Sequence, residues 1–226
     1  MVTFVIPTLW KSDRIYSTID AVRHSDIEGI ELVIIDNANS DFESDSDKIR
    51  VIKLDDNIFV NPAWNIGVSI ALNEYVCLLN DDIEINISVV VNSFMNAINN
   101  IPDFSKDFGI LAYESGKDLS SEINTNNELL PLVEQVMKGN GFGQLMLFHK
   151  RNYCKIPEHF KVYFGDDLLH YYITHLKKLK AYYVQGLKVS GNLSVSSSEV
   201  EHLMQEELKF WKQSVEDLYN NYYKLD

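Results

Sequence analysis

The chain has 226 residues, 46% hydrophobic and 23% charged, which is enough to bury one large core or two small ones. Its formal net charge of −13 and pI of about 4.8 argue against broad, nonspecific binding to a phosphate backbone, because nucleic-acid binders carry a basic face. The two cysteines, Cys77 and Cys154, lack metal-ligand spacing, and the opening MVTFVIPTLW has no basic lead and is too short for a signal or spanning helix, so a soluble cytoplasmic protein is expected.

Val2 to Ile6 is a continuous apolar run stopped at Pro7, which predicts a buried strand. Ser12 or Asp13 is placed to cap a helix in which Ile15, Ile19 and Val22 share one face. Glu31 to Ile35 predicts a second buried strand, ending at Asp36-Asn37, and Arg50 to Leu54 a third. A helix from about Asn61 to Asn73 then leads into a strand from Tyr75 to Leu79, which stops abruptly at Asn80-Asp81-Asp82. This rhythm predicts an α/β fold with a doubly wound, mostly parallel central sheet flanked by helices.

Further along, Val89 to Ile98 predicts a helix ended before Pro102, and Phe108 to Ala112 a short strand. Glu114 to Asn127 is polar and without periodicity, and reads as a long mobile loop suited to a lid or a disordered segment. Gly139 to Gly143 is a turn cluster before a strand from Gln144 to His149. Gly165 precedes a helix from Asp166 to about Lys180, and Ala181 to Val189 reads as the last strand, followed by the polar stretch Ser194 to Ser198. Glu199 to Tyr223 is a long amphipathic helix. Its apolar side is Val200, Leu203, Met204, Leu208, Trp211, Val215, Leu218 and Tyr222; its polar side holds Glu199, Glu201, Glu206, Glu207 and Glu216. There is no repeat and no interdomain linker, so residues 1–226 read as a single domain.

The run from Asp56 to Ile85 carries the strongest chemical signal. Two carboxylates at the carboxyl end of an apolar strand are costly unless something positive sits there. In an open α/β sheet that edge is where ligands bind. Carboxylates recur at strand or loop ends as Asp36, Asp41, Asp81-Asp82 and Asp166-Asp167, and parallel strands bring their carboxyl ends to one edge. A nucleotide diphosphate with Mg2+ or Mn2+ fits such an edge, since hard cations take oxygen ligands. The plainer alternative is that these are turn and cap residues, with Asp166-Asp167 compensating a helix dipole.

VIPTLW at 5–10, VIIDNANSD at 33–41, Asn57 with NPAWNIGV at 57–68, YVCLLNDDIEI at 75–85 and YFGDDLLHYYI at 163–173 occur in an order that resembles the family 2 glycosyltransferases. The resemblance is clearest over residues 2–85, fainter over 139–175 and weakest after 190. It implies an inverting nucleotide-sugar transferase of GT-A fold, with residues 1–100 as the nucleotide-binding half, 101–190 as the acceptor-binding half and 199–223 as the C-terminal helix. On the matched positions it implies that Pro7 and Thr8 end the first strand at the nucleotide and that Asp36, followed by Asn37 and Ser40, accepts a hydrogen bond from the base, usually uracil. Asn57 and Asn65 join the nucleotide-binding set. Asn80-Asp81-Asp82 matches the Asp-any-Asp metal motif, with Asp82 as the metal ligand and Asp81 nearer the ribose; the implied cofactor is Mn2+ or Mg2+. Gly141 and Gly143 fit the turn that an acceptor approaches. Asp166-Asp167 matches the family's Glu-Asp pair, which makes Asp167 the general base. The implied partners are a nucleotide-sugar donor, expected as a UDP-sugar, and a glycan, lipid-linked sugar or other hydroxyl acceptor.

Departures from the family pattern stand beside this. Asn80 replaces an Asp and Trp64 replaces a basic residue facing the diphosphate, leaving Lys11, Arg14 or the metal to do that work. Ser190-Gly191-Asn192 stands where the family often has a metal-binding His, and His170, His175 and His202 are poor substitutes that read as surface or interface residues. Lys177, Lys178 and Lys180 with Tyr171, Tyr172, Tyr182 and Tyr183 read as helix-terminal cations, the rival being a nucleic-acid patch of a transferase that modifies hydroxymethylcytosine in DNA. The C-terminal helix is expected to pack on the domain or to pair two copies as a homodimer. A noncatalytic relative that binds nucleotide or sugar is the second function class.

Overall fold

The computed structural model describes residues 1–191 and 200–222. Asn192, the stretch Ser194 to Ser198 and Glu199 lie outside the described residues, as do the side chains of Val215, Glu216, Leu218 and Tyr222. The chain runs β1 (Val2–Thr8), α1 (Arg14–Arg23), β2 (Glu31–Asp36), β3 (Ile49–Lys53), α2 (Val60–Ile70), β4 (Tyr75–Leu79), β5 (Ile83–Glu84), α3 (Ile87–Asn100), α4 (Phe104–Asp107), β6 (Phe108–Ala112), β7 (Leu132–Glu134) and β8 (Leu145–His149). It continues through α5 (Gly165–Tyr171), extended by a π turn over Tyr172–Leu176, then β9 (Lys180–Val184), β10 (Ser190–Gly191) and α6 (Glu201–Tyr222).

The main sheet has eight strands in the order β3-β2-β1-β4-β8-β6-β9-β7. β1 pairs in parallel with β2 and β4, β2 with β3, and β6 with β9, while β8 runs antiparallel between β4 and β6, and β7 antiparallel on β9. The sheet is therefore mostly parallel, with β8 and β7 reversed. β1, β2 and β4 are buried on both faces, which is why they read as unbroken apolar runs. One face packs Phe4, Ile6 and Ile34 under α1 and α3, through Ile15, Ile19, Val22, Val90 and Phe94. The other packs Val5, Val33 and Ile35 under α2 and α5, through Ala63, Trp64, Val68 and Leu169.

Several boundaries differ from the sequence reading. The helix expected over 166–180 ends earlier, because Lys178 takes φ +59° and the chain enters β9 at Lys180. The strand expected over 181–189 stops at Val184, where Gly186 turns the chain at φ +86°. β7 is missing from the sequence reading; it is a three-residue edge strand, Leu132–Glu134, cut off from Leu129-Leu130 by Pro131 and with no fully buried side chain. The 114–127 segment has no regular element, yet it is tied down. Ser120 N–H donates to Val189 O (2.7 Å), Tyr113 Oη to Asp118 O (3.0 Å) and Lys188 N–H to the buried Asn124 Oδ1 (2.8 Å). On α6 the packed side is Leu203, Glu207, Phe210 and Trp211, while Met204 is exposed, so Glu207 belongs to the buried face and not to the polar one. Among the described residues no helix is long and apolar enough to cross a membrane.

Candidate active site

The carboxyl ends of β1, β2 and β4 meet at one edge of the sheet. Thr8 stands opposite Asp36 in the β1–β2 register, and Asn37 N–H donates to Thr8 O (2.9 Å). The Thr8 hydroxyl donates to Asp81 Oδ2 (2.7 Å). One residue at the end of β1 thus stands between the acidic residue of β2 and that following β4. Pro7 is buried in the strand just behind.

Asp36 is fully buried and its carboxylate is held from its own loop: Oδ1 accepts from Ala38 N–H (2.9 Å), and Oδ2 accepts from the Ser40 amide (2.8 Å) and hydroxyl (2.6 Å). Burial pushes its pKa up, but those hydrogen bonds, with the Trp10 indole beside it, outweigh burial and leave it below the usual carboxylate range. Asp36 is therefore ionised at neutral pH and purely an acceptor. Asn37 Oδ1 accepts from Ile58 N–H (3.2 Å), and Asn57 Oδ1 from Phe59 N–H (2.8 Å), so both shape the turn into α2, where Phe59 adopts φ +68°. Asn65 faces a different neighbour. It bonds Tyr153 Oη (2.7 Å), Ile156 N–H (2.9 Å) and Ile156 O (2.9 Å), pinning α2 to the segment after β8.

The turn after β4 is electrostatically uneasy. Burial raises the pKa of Asp81 against the Thr8 hydrogen bond. Burial, and then the neighbouring Asp81, push Asp82 up to about 6, with Arg14 opposing. Arg14 Nη1 donates to Ser190 Oγ (2.8 Å) and lies 3.6 Å from Glu84, so a cation borders the turn from the β5–β10 ribbon. Two oxygen-donor carboxylates whose charge is disfavoured as they stand suit a hard divalent cation shared with phosphate oxygens. Among the described residues no group of three or more His, Cys, Asp or Glu side chains that could hold a metal ion is assembled, so these two carboxylates are the whole acidic donor set at this turn. Trp64, where the resemblance implies a basic residue, is a core side chain with an unpartnered indole N–H.

The second acidic pair is connected to the first through the start of β8. Asn80 N–H donates to Gln144 O (3.1 Å), the last residue of the 3-10 turn Phe142–Gln144, and Gly143 of that turn lies against Asp166. A Cβ on Gly143 would come 2.9 Å from Asp166 Oδ2, so the glycine makes room for the carboxylate. Asp166 and Asp167 occupy the first turn of α5, and Lys138 spans them, 3.0 Å from Asp166 Oδ2 and 2.7 Å from Asp167 Oδ1. Burial and then Asp167 raise the Asp166 pKa, while Lys138 pulls it down; the two carboxylates in turn raise Lys138 against its own burial. Sequence reading marks the glycines of 139–143 and misses Lys138 directly before them, because its partners lie far along the chain on α5. His170, expected at the surface or an interface, is buried edge-on against Phe142 (5.1 Å), and burial, with His175 and Lys138 nearby, lowers its pKa to about 4.

Two cations of the basic-aromatic stretch are paired within the fold. Lys177 Nζ donates to Arg151 O (2.6 Å), and Lys180 pairs with Glu134 (3.2 Å) and Asp107 (3.7 Å). A cavity of about 690 Å³ between α1 and the β5–α3 turn is lined by Glu84 but by none of the aspartates at positions 36, 81, 82, 166 and 167.

Comparison with known proteins agrees with this geometry. Residues 3–104 match the family model described as Glycosyl transferase family 2, a span that holds β1 through α3 and both Asp36 and Asp82. Among solved structures, TarS 1-349 of S. aureus matches with a TM-score of 0.59 and 12% identity over 90% of this chain and 63% of that one. Its complex with UDP gives 0.56 and 13% over 91% and 63%. The mannosyltransferase PcManGT of Pyrobaculum calidifontis, in complex with GDP-Man and Mn2+, gives 0.61 and 15% over 93% and 64%. The chain spans less than two thirds of the length of these structures, and at such identities the likeness is one of fold. No curated protein matches the chain.

Proposed function

We propose that this chain, a family 2 glycosyltransferase region on a GT-A fold, moves a sugar from a nucleotide-diphosphate donor, a UDP-sugar in the first instance, to an acceptor hydroxyl with inversion at the anomeric carbon. The observation that carries this reading is the junction at Thr8: an ionised, fully buried Asp36 on one side and Asp81 hydrogen-bonded on the other. Neighbours of the same fold were solved with UDP and with GDP-Man and Mn2+, which supports a nucleotide-sugar at this edge.

In this reading residues 1–100 hold the donor and 101–190 the acceptor. Asp36 accepts from an N–H of the base, Asp81 lies toward the ribose, and Asp82 would hold Mn2+ or Mg2+. A cation bound there supplies Lewis-acid neutralisation of the leaving diphosphate. Asp167 takes the proton of the acceptor hydroxyl as that oxygen attacks. Lys138 bridges the Asp166–Asp167 pair and opposes the rise that burial gives Asp166, and Arg14 lends positive charge beside Asp82. The captured lysines and acidic net charge give the nucleic-acid acceptor no support.

Titration calorimetry with UDP, GDP and dTDP, with and without Mn2+, tests the binding half, and hydrolysis of UDP- and GDP-sugars tests the chemistry. Metal-dependent nucleotide affinity that disappears in Asp82→Ala is expected. Hydrolysis in Asp167→Asn is expected to fall about 100-fold or more, the scale of a lost general base. Nucleotide binding with no turnover of any donor or acceptor would favour the noncatalytic relative.

A further inference from the structure

We propose that Glu207, on the C-terminal helix α6, is a positioning residue for the Asp166–Asp167 pair, so that α6 is part of the catalytic apparatus and not only a packing element. The proposal rests on the reading of Asp167 as the base.

Glu207 is 2% exposed on a helix face otherwise made of Leu203, Phe210 and Trp211. A carboxylate there is costly unless its oxygens are satisfied. They are met by three consecutive backbone amides. Lys161 N–H donates to Oε1 (3.1 Å), Val162 N–H to Oε1 (3.2 Å) and Oε2 (3.4 Å), and Tyr163 N–H to Oε2 (2.8 Å). Those amides lie outside any strand or helix, and Glu207 is the acceptor that gathers all three. Burial raises the Glu207 pKa, and the three amides, with Lys161, oppose that rise.

The same segment is gripped from the other side by α2. Asn61 N–H donates to Lys161 O (3.0 Å) and Asn61 Nδ2 to Tyr163 O (3.0 Å). The chain then reverses at Phe164 (φ +60°) and enters α5 at Gly165, where a Cβ would come 2.1 Å from Asn61 Oδ1. Phe164 itself stacks on Trp211 of α6 at 5.6 Å and 11°. The two residues that follow Gly165 are Asp166 and Asp167. The direction in which α5 starts is therefore fixed by amides held on Glu207 and carbonyls held on Asn61, with no slack residue between that clamp and the acidic pair. A displacement of about 1 Å at such a pair is enough to cost two orders of magnitude in rate.

The test uses the full chain and the variants Glu207→Gln, which keeps the length and one accepting oxygen, and Glu207→Leu. Hydrolysis of UDP-glucose, UDP-N-acetylglucosamine and GDP-mannose is measured with Mn2+, together with UDP affinity and amide hydrogen exchange. In Glu207→Leu, kcat is expected to fall at least 10-fold with the UDP Kd within twofold of wild type, and Glu207→Gln is expected to lie between the two. Exchange is expected to accelerate together at 161–163 and at Leu168 and Leu169, the first amides bonded within α5. Faster exchange confined to 161–163, with Leu168, Leu169 and kcat as in wild type, would show that Glu207 serves only its own segment and overturn the proposal. Wild-type chain that neither binds UDP nor hydrolyses any donor would instead defeat the transferase reading, and the exchange result would still decide whether Glu207 positions α5.

Discussion

The hydroxyl of Thr8 donates to Asp81 Oδ2 across 73 positions of sequence, and the same hydroxyl oxygen accepts from the Trp10 amide at 2.8 Å. One buried side chain thus ties the end of β1 to the turn after β4 and to the loop that follows β1. Thr8→Val keeps the shape and removes both bonds. Stranding two polar groups in this way costs about 1–3 kcal/mol of stability. Asp81, already raised by burial, loses the bond that opposes the rise, so nucleotide affinity is expected to weaken about 10-fold, an effect of roughly 1.4 kcal/mol. Urea unfolding and UDP titration measure the two effects separately. A destabilised variant with wild-type affinity would remove Thr8 from the binding site.

Lys138 is the counter-charge of the acidic pair. In Lys138→Met the ammonium that opposes burial at Asp166 is gone, so Asp166 holds a proton to higher pH. An ionised Asp166 is the partner that stands beside the base Asp167, so the acid limb of the kcat profile is expected to move to higher pH with Asp166. At pH 6 the variant should fall behind wild type by about 10-fold or more, because on that limb each tenfold weakening of the acid leaves a tenth as much carboxylate, and it should recover part of the loss at pH 9. A uniform loss at every pH would mean that Lys138 acts on something other than the ionisation of Asp166.

The strands of the first half and their acidic ends are legible in the sequence because burial on both faces writes an unbroken apolar run with a sharp polar stop, as at Tyr75–Leu79 and Glu31–Asp36. Lys138 and Glu207 are not legible. Each is a charge whose partners come from elsewhere in the fold: two carboxylates on α5 for Lys138, three backbone amides for Glu207. Periodicity assigns a residue such as Glu207 to a polar face, because a backbone N–H leaves no trace in the pattern of side chains. Asn65 shows the converse. The matched motif groups it with the nucleotide-binding residues, yet its amide is spent on Tyr153 and Ile156. His170 reads as a surface or interface residue because a helical position alone does not reveal that Phe142 covers it.

Gly143 offers a small, local perturbation of the base. The added methyl of Gly143→Ala would sit 2.9 Å from Asp166 Oδ2 and 3.0 Å from its Cβ and Cγ, closer than van der Waals contact. Asp166 must swing away, and Lys138 and Asp167 move with it. Turnover is expected to fall about 10- to 100-fold, the scale of a misplaced catalytic group. UDP affinity should stay within twofold, since Asp36 and Thr8 are untouched. Equal losses in turnover and affinity would indicate that the 3-10 turn supports the donor side instead.

His170 makes the protein acid-sensitive in a defined window. Its imidazole is buried against Phe142 with Nε2 unpartnered, and His175 and Lys138 add positive charge nearby, opposed by Asp167. The folded-state pKa of about 4 lies below the ordinary value of 6.5, so between those limits the unfolded chain binds more protons than the folded one. Stability from this group is fully present above pH 6.5 and is lost progressively as pH falls toward 4, to a total on the order of 3 kcal/mol. His170→Phe has no proton to take up, so its unfolding free energy should fall less steeply than that of wild type over the same interval. Urea melts of both proteins at half-unit steps from about pH 7 to pH 4 give the difference directly. Parallel curves would mean that the ring titrates as it would in water, and that the packing of α5 over Phe142 is looser than its contacts indicate.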